Sequence, residues 1–181
     1  MNLIYETDRL ILKVLRPEDA PKVLSFYQKN KDIFEMYEAA RPENFYTLKY
    51  QKSLLLCEYN YTLQLSAVRF YAFLKENPTQ IIGTVCFRDI IHSIYETCEV
   101  GYKFDQDFWH KGYATEALLE GIEIMFDDLK LHRIEACVMP KNLPSIRLLE
   151  SLYFKREGLL RQNALINGQW EDHYLYSLIH P

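Results

Sequence analysis

One stretch limits the folds open to this chain more than any other: Glu99-Val-Gly-Tyr-Lys-Phe-Asp-Gln-Asp-Phe-Trp-His-Lys-Gly-Tyr-Ala-Thr-Glu-Ala117. It reads as a strand, a short basic turn holding one glycine, and an amphipathic helix. From Ala114 the small or apolar residues recur at 114, 117, 118, 121, 122, 125, 126 and 129, the stripe of a helix packed on a core. The turn Trp109-His-Lys-Gly-Tyr-Ala114 therefore lies at a helix N-terminus. Backbone N–H groups there lack intrahelical partners, and the macrodipole adds about half a positive charge. Gly112 has no Cβ to keep an anion off the backbone, and Lys111 adds a full charge. A diphosphate suits such a place, although many Lys-Gly turns before helices bind nothing.

The remaining elements follow in order. Thr7–Lys13 alternates as a first strand, and Arg16-Pro-Glu-Asp-Ala20 opens a helix running to about Asn30, with Pro17 and the acidic pair where helix starts favour them. An aromatic and acidic segment spans Lys31 to Thr47, and a second helix covers Leu48 to Tyr61. Residues 68–75 and 80–88 read as strands joined across Glu76-Asn-Pro-Thr79, and a further strand spans Tyr95 to Phe104. After the central helix come a strand at 133–139, an N-cap at Asn142 with Pro144 in the first turn of a short helix, and two strands at 154–165 and 170–178. The last two meet across Asn167-Gly168, a strong hairpin signal. The order β-α-α-β-β-β-α-β-α-β-β describes a mixed α/β or α+β sheet of about seven strands.

The central turn resembles the pyrophosphate-binding motif of the GNAT superfamily of acyl-CoA N-acyltransferases, Gln/Arg-x-x-Gly-x-Gly/Ala. Gly112 and Ala114 match its last two fixed positions, and Trp109 stands where Gln or Arg is usual. The wording Trp-x-Lys-Gly-Tyr-Ala-Thr-Glu-Ala is common in the branch that contains the acetyltransferases of ribosomal-protein N-termini. His110 replaces a more usual glycine. The run from Asn142 to Gly158 resembles the family's Asn-x-x-Ser…Gly-Phe-x-x-Glu-Gly signature, with Tyr153 in place of the glycine. The resemblance covers Thr7 to Leu178 and implies the GNAT fold, with a mostly antiparallel sheet, flanking helices and a V-shaped splay between the fourth and fifth strands.

It also implies acetyl-CoA as cosubstrate and a primary amine as acceptor, a protein or peptide N-terminus or a small amine. The diphosphate would meet Trp109, His110, Lys111, Gly112, Tyr113, Ala114 and Thr115, and the pantetheine arm would pair with the backbone of Tyr102, Lys103 and Phe104. Asn142 would contribute across the cleft, as a contact or as a helix cap only. The tyrosine that many members use to protonate the CoA thiolate falls on Leu149, while the branch's serine falls on Ser145. The branch's glutamate before the last hairpin falls on Ala164, which leaves Glu99 as the carboxylate to name as general base. Glu99 could equally be a solvated or positioning residue, and Ser145 a polar residue of a first helical turn. Phe34, Tyr37 and Glu38 lie where the family shapes its acceptor pocket, and could hold a cationic amine or belong to the core. A non-catalytic acyl-CoA-binding module of the same fold is the alternative reading.

Composition narrows the partners. With 181 residues, 49% of them apolar, the chain suits one domain with a sizeable core. A net charge of −4 argues against nonspecific nucleic-acid binding. No apolar run approaches the ~18 residues of a membrane span, and the N-terminus lacks the pattern of a signal peptide. Cys57, Cys86, Cys98 and Cys137 show no CxxC spacing and the five histidines no ligand spacing, so free thiols in the cytoplasm and no metal are expected. A homodimer is compatible with all of this.

Overall fold

The computed structural model describes residues 1–180. Its strands are β1 (Ile4–Glu6), β2 (Leu10–Lys13), β3 (Val68–Leu74), β4 (Asn77–Ile91), β5 (Thr97–Phe104), β6 (Arg133–Val138), β7 (Lys155–Ile166) and β8 (Gln169–Ile179). They form one sheet in the order β1-β2-β3-β4-β5-β6-β8-β7. Neighbours are antiparallel except β5 and β6, which run parallel. The helices are α1 (Ala20–Lys29), α2 (Lys31–Phe34), α3 (Leu48–Leu63), α4 (Tyr113–Glu123) and α5 (Leu143–Ser151). The sheet has one strand more than expected, because three-residue β1 is too short for a period of two to register. The expected splay between the fourth and fifth strands accordingly concerns β5 and β6.

Each face of the sheet carries its own core. On one, Leu12, Phe70, Phe87, Val100 and Phe104 pack with Ala117, Leu118 and Met125 on and just beyond α4, and with Leu149 of α5. The apolar stripe read from Ala114 onward is the buried side of this helix, whose last turn widens at Ile124–Asp128 before Leu129. It lies close on the sheet, since a Cβ at Gly121 would meet the Phe87 ring at 2.6 Å. On the other face Tyr71, Phe73 and Ile81 pack with Val23 and Tyr27 of α1, Phe34 of α2 and Leu55 of α3. These three helices belong to the β2–β4 half of the sheet. The two halves also meet through the β7–β8 hairpin. Asn167 and Gly168 at its tip both adopt positive φ, 49° and 80°, as a tight hairpin turn demands. Asn167 Nδ2 then donates to the Glu35 carbonyl at 2.8 Å, just after α2.

Candidate active site

The parallel pairing of β5 and β6 is brief: Thr97↔Arg133, Cys98↔Ile134 and Glu99↔Glu135. Beyond Glu99, β5 stays with β4 as far as Gly83↔Phe104, while β6 stays with β8 as far as Val138↔Tyr174. The strands therefore part, and from Val100 onward β5 has no ladder partner on that side. The N-terminus of α5 closes the far side of the gap. Asn142 caps it, its Oδ1 accepting from the Ser145 N–H at 3.3 Å. The Tyr102 hydroxyl reaches over from β5, donating to the Ser145 carbonyl at 3.2 Å and lying 2.8 Å from Ser145 Oγ. Burial pushes the Tyr102 phenol up to about 12, against the opposing pull of the Ser145 bond, so it stays protonated at neutral pH.

The turn before α4 stands at the end of the same strand. Gly112 is its N-cap, with φ 79°, and His110 also has positive φ, 59°. Gly112 suits that left-handed conformation, which costs most L-residues free energy. The Trp109 indole N–H donates to the Phe104 carbonyl at 2.8 Å, and Lys111 Nζ to the Asp107 carbonyl at 2.9 Å. Both side chains thus brace the turn while its amides remain at the helix start. Tyr113, Ala114 and Thr115 form the first turn of α4, half-buried. Sequence reading missed Arg9. Its guanidinium donates to the Lys111 carbonyl at 2.9 Å, pairs with Glu116 at 2.6 Å and lies over the Tyr113 ring. Glu116 also accepts from Thr7 Oγ1 at 2.6 Å and from the Arg9 backbone N–H at 2.8 Å. Burial works to raise the Glu116 pKa, but these hydrogen bonds outweigh it and hold the carboxyl below its usual range. Nothing local in the sequence announces a clamp across 107 residues.

Strand alternation sends successive β5 side chains to opposite faces. Cys98, Val100 and Phe104 join the α4 core with Tyr102 packed against it, so Glu99, Gly101 and Lys103 look the other way. Glu99 pairs with Arg88 of β4 at 2.5 Å. Gly101 is exposed, and a Cβ there would meet nothing within 4 Å. The Lys103 ammonium pairs with the Glu38 carboxylate, which also pairs with Arg41, and it stands 5.4 Å from the ring centres of Tyr27 and Phe34. Burial, with added repulsion from Arg69 and Arg41, pushes the Lys103 pKa down. The touching Glu38 carboxylate opposes this and favours the charged form.

The residues expected to shape the acceptor pocket divide accordingly. Phe34 is buried in the core, at 6% exposure. Tyr37 is half-buried and bonds through its backbone to Phe34. Glu38 does hold cations, and they are the protein's own. Lys103, expected at the gap through its backbone, carries its ammonium to the opposite face. A surface cavity of about 410 Å³ lies near the end of β6, lined by Pro140, Lys141, Gln162, Trp170, Glu171 and Asp172.

Residues 9–155 match the acetyltransferase (GNAT) domain family. The chain belongs to this family. It is 36% identical over 172 residues to the probable N-acetyltransferase YjcK of Bacillus subtilis, covering 95% of this chain and 94% of that one. It is 33% identical over 176 residues to the ribosomal protein uS5-alanine N-acetyltransferase of Escherichia coli, covering 97% and 90%. The crystal structure of the ribosomal-protein-S5-alanine acetyltransferase of Vibrio fischeri superposes with a TM-score of 0.92 at 30% identity, covering 98% and 97% of the two chains. The protein is thus an acetyl-CoA-dependent GNAT N-acetyltransferase, and an enzyme rather than a passive acyl-CoA-binding module. Among the described residues no helix is long and apolar enough to cross a membrane.

Proposed function

We propose that this enzyme transfers acetyl from acetyl-CoA, held in the gap between β5 and β6, directly to an α-amino group on the Glu99 face of the sheet. The observation that carries this reading is the end of the parallel pairing at Glu99↔Glu135. It frees the β5 edge at the residue whose carboxylate could serve the amine. The turn at 109–115 supplies amides and positive charge for the diphosphate. Asn142 caps α5 with Oδ1, which leaves its NH2 group for the pantetheine arm. The amine nitrogen attacks the thioester carbon, and a backbone N–H of 102–104 steadies the oxyanion. The C–S bond then breaks, and the thiolate takes a proton relayed through the Ser145 hydroxyl, which recovers one from solvent and is positioned by the Tyr102 hydroxyl beside it. Glu99 takes the proton from the amine, directly or through a water.

An α-amine asks least of such a site. Deprotonation at pH 7 costs about 1.4 kcal/mol for an amine of pKa ~8 and about 4.6 kcal/mol for a lysine of pKa ~10.4. Glu99 also shares its charge with Arg88, an arrangement better matched to the smaller task. The uS5-alanine specificity in the name of the E. coli relative points to the same acceptor class. Acetyl-CoA consumption should be measured against peptide N-termini, free amino acids, polyamines and aminoglycosides. The α-amines are expected to lead by at least about tenfold in kcat/KM, and a polyamine or aminoglycoside in first place would overturn the reading.

A further inference from the structure

We infer that the acceptor carries a carboxylate close to its amine, and that Lys103 and Arg41 bind that carboxylate while the amine lies over Gly101 toward Glu99. The inference rests on the α-amine reading above and adds the substrate's second charged group.

Three observations support it. Glu99, Gly101 and Lys103 occupy alternate positions of one strand face, about 7 Å apart from one to the next. The middle position is open, since a Cβ on Gly101 would touch nothing within 4 Å. A molecule resting there has a carboxylate at one end and an ammonium at the other, complementary to an amine and a carboxylate of its own. Second, Lys103 and Arg41 share the single carboxylate of Glu38, while neighbouring Arg69 is already matched by Glu58 at 2.6 Å. With its ammonium protonated, the Lys103 end of the face sets three cations, Lys103, Arg41 and Arg69, against two carboxylates, Glu38 and Glu58. A ligand carboxylate would supply the third and favour the charged form of Lys103. Lys103 is also half-buried among rings, where a charge pair is screened less than in open water. Third, Glu38 belongs to the stretch between α2 and α3, outside any helix or strand. Its carboxylate is placed as a ligand carboxylate would be, between the same two cations.

The carboxylate could be the α-carboxylate of a free amino acid or the side chain of an N-terminal acidic residue, and matched acceptors separate the two. One arm compares alanine with alaninamide; the other compares amidated tripeptides beginning with Asp or Glu against those beginning with Asn or Gln. In one arm the carboxylate-bearing acceptor is expected to lead by at least about tenfold in kcat/KM. Lys103→Met should collapse that ratio toward one, and so should Arg41→Gln. Gly101→Val fills open space at a residue of ordinary backbone conformation; it should cut acceptor turnover about a hundredfold or more without changing CoA affinity. Calorimetric titration of the CoA-loaded enzyme with the same acceptors gives a readout independent of turnover. Equal rates for carboxylate and amide acceptors in both arms, or a preference surviving in Lys103→Met, would overturn the inference and leave the α-amine reading intact. Failure to acetylate any α-amine would overturn the wider reading, and the titration would still decide whether Lys103 binds a carboxylate.

Discussion

Gly112→Asp is expected to lose about a thousandfold in CoA affinity and still fold. The substitution places an anion at the residue where the diphosphate is proposed to meet the start of α4. Two unit charges ~4 Å apart at an effective dielectric of ~20 interact by about 4 kcal/mol, or about three decades in Kd. The backbone there has φ 79°, and a Cβ would lie 3.3 Å from Arg9 Nη2. Strain alone could therefore shift the turn, and Gly112→Asn controls for it. Asparagine tolerates the left-handed conformation about as well as aspartate and occupies the same space. Calorimetry should show Gly112→Asn losing far less affinity than Gly112→Asp. Equal losses would assign the effect to backbone shape, and unchanged affinity in a folded Gly112→Asp protein would remove the diphosphate from this turn.

Glu99→Gln is expected to lower turnover by about 10²–10⁴-fold, or about 3–5 kcal/mol of barrier, with CoA affinity near its original value. The loss should shrink as pH rises from 6 to 9, because more of the acceptor amine is then neutral without help. Ser145→Ala should cost less, about tenfold, since a thiol of ordinary pKa ~8.5 is a tolerable leaving group unprotonated. The Arg88 pair gives the experiment a second edge. If Glu99 only balances Arg88, then Glu99→Gln should lower thermal stability and spare the rate on the true acceptor. Full activity of Glu99→Gln across that pH range would make Glu99 structural and leave catalysis to positioning.

The order of elements was legible because most of them are long enough to show their period. The stripe from Ala114 to Leu129, the Asn142 cap and the Asn167-Gly168 turn each encode local geometry, and each lies where the pattern places it. β1 was not legible, since three residues that gain their order by pairing with β2 carry no pattern of their own. The start of β4 was misplaced for a related reason. The turn occupies only Lys75 and Glu76, and the register shifts beside it let Asn77 and Pro78 join the strand. At the site, the turn and the splay could be read from motif and order. The partners could not: Arg88 for Glu99, Arg9 for Glu116 and Tyr102 for Ser145 meet through the tertiary fold alone. The side taken by Lys103 was readable in principle, because Glu99 and Lys103 are four residues apart on a strand and must share a face.

The most direct test of where acetyl-CoA lies is amide hydrogen exchange with and without CoA. Protection should appear at residues 100–104, on the β5 edge freed from β6, and at 110–115, with little change along α1 or α3. Protection centred instead on the cavity of Lys141, Trp170 and Asp172, with the 100–104 and 110–115 amides unchanged, would contradict this placement of the cosubstrate.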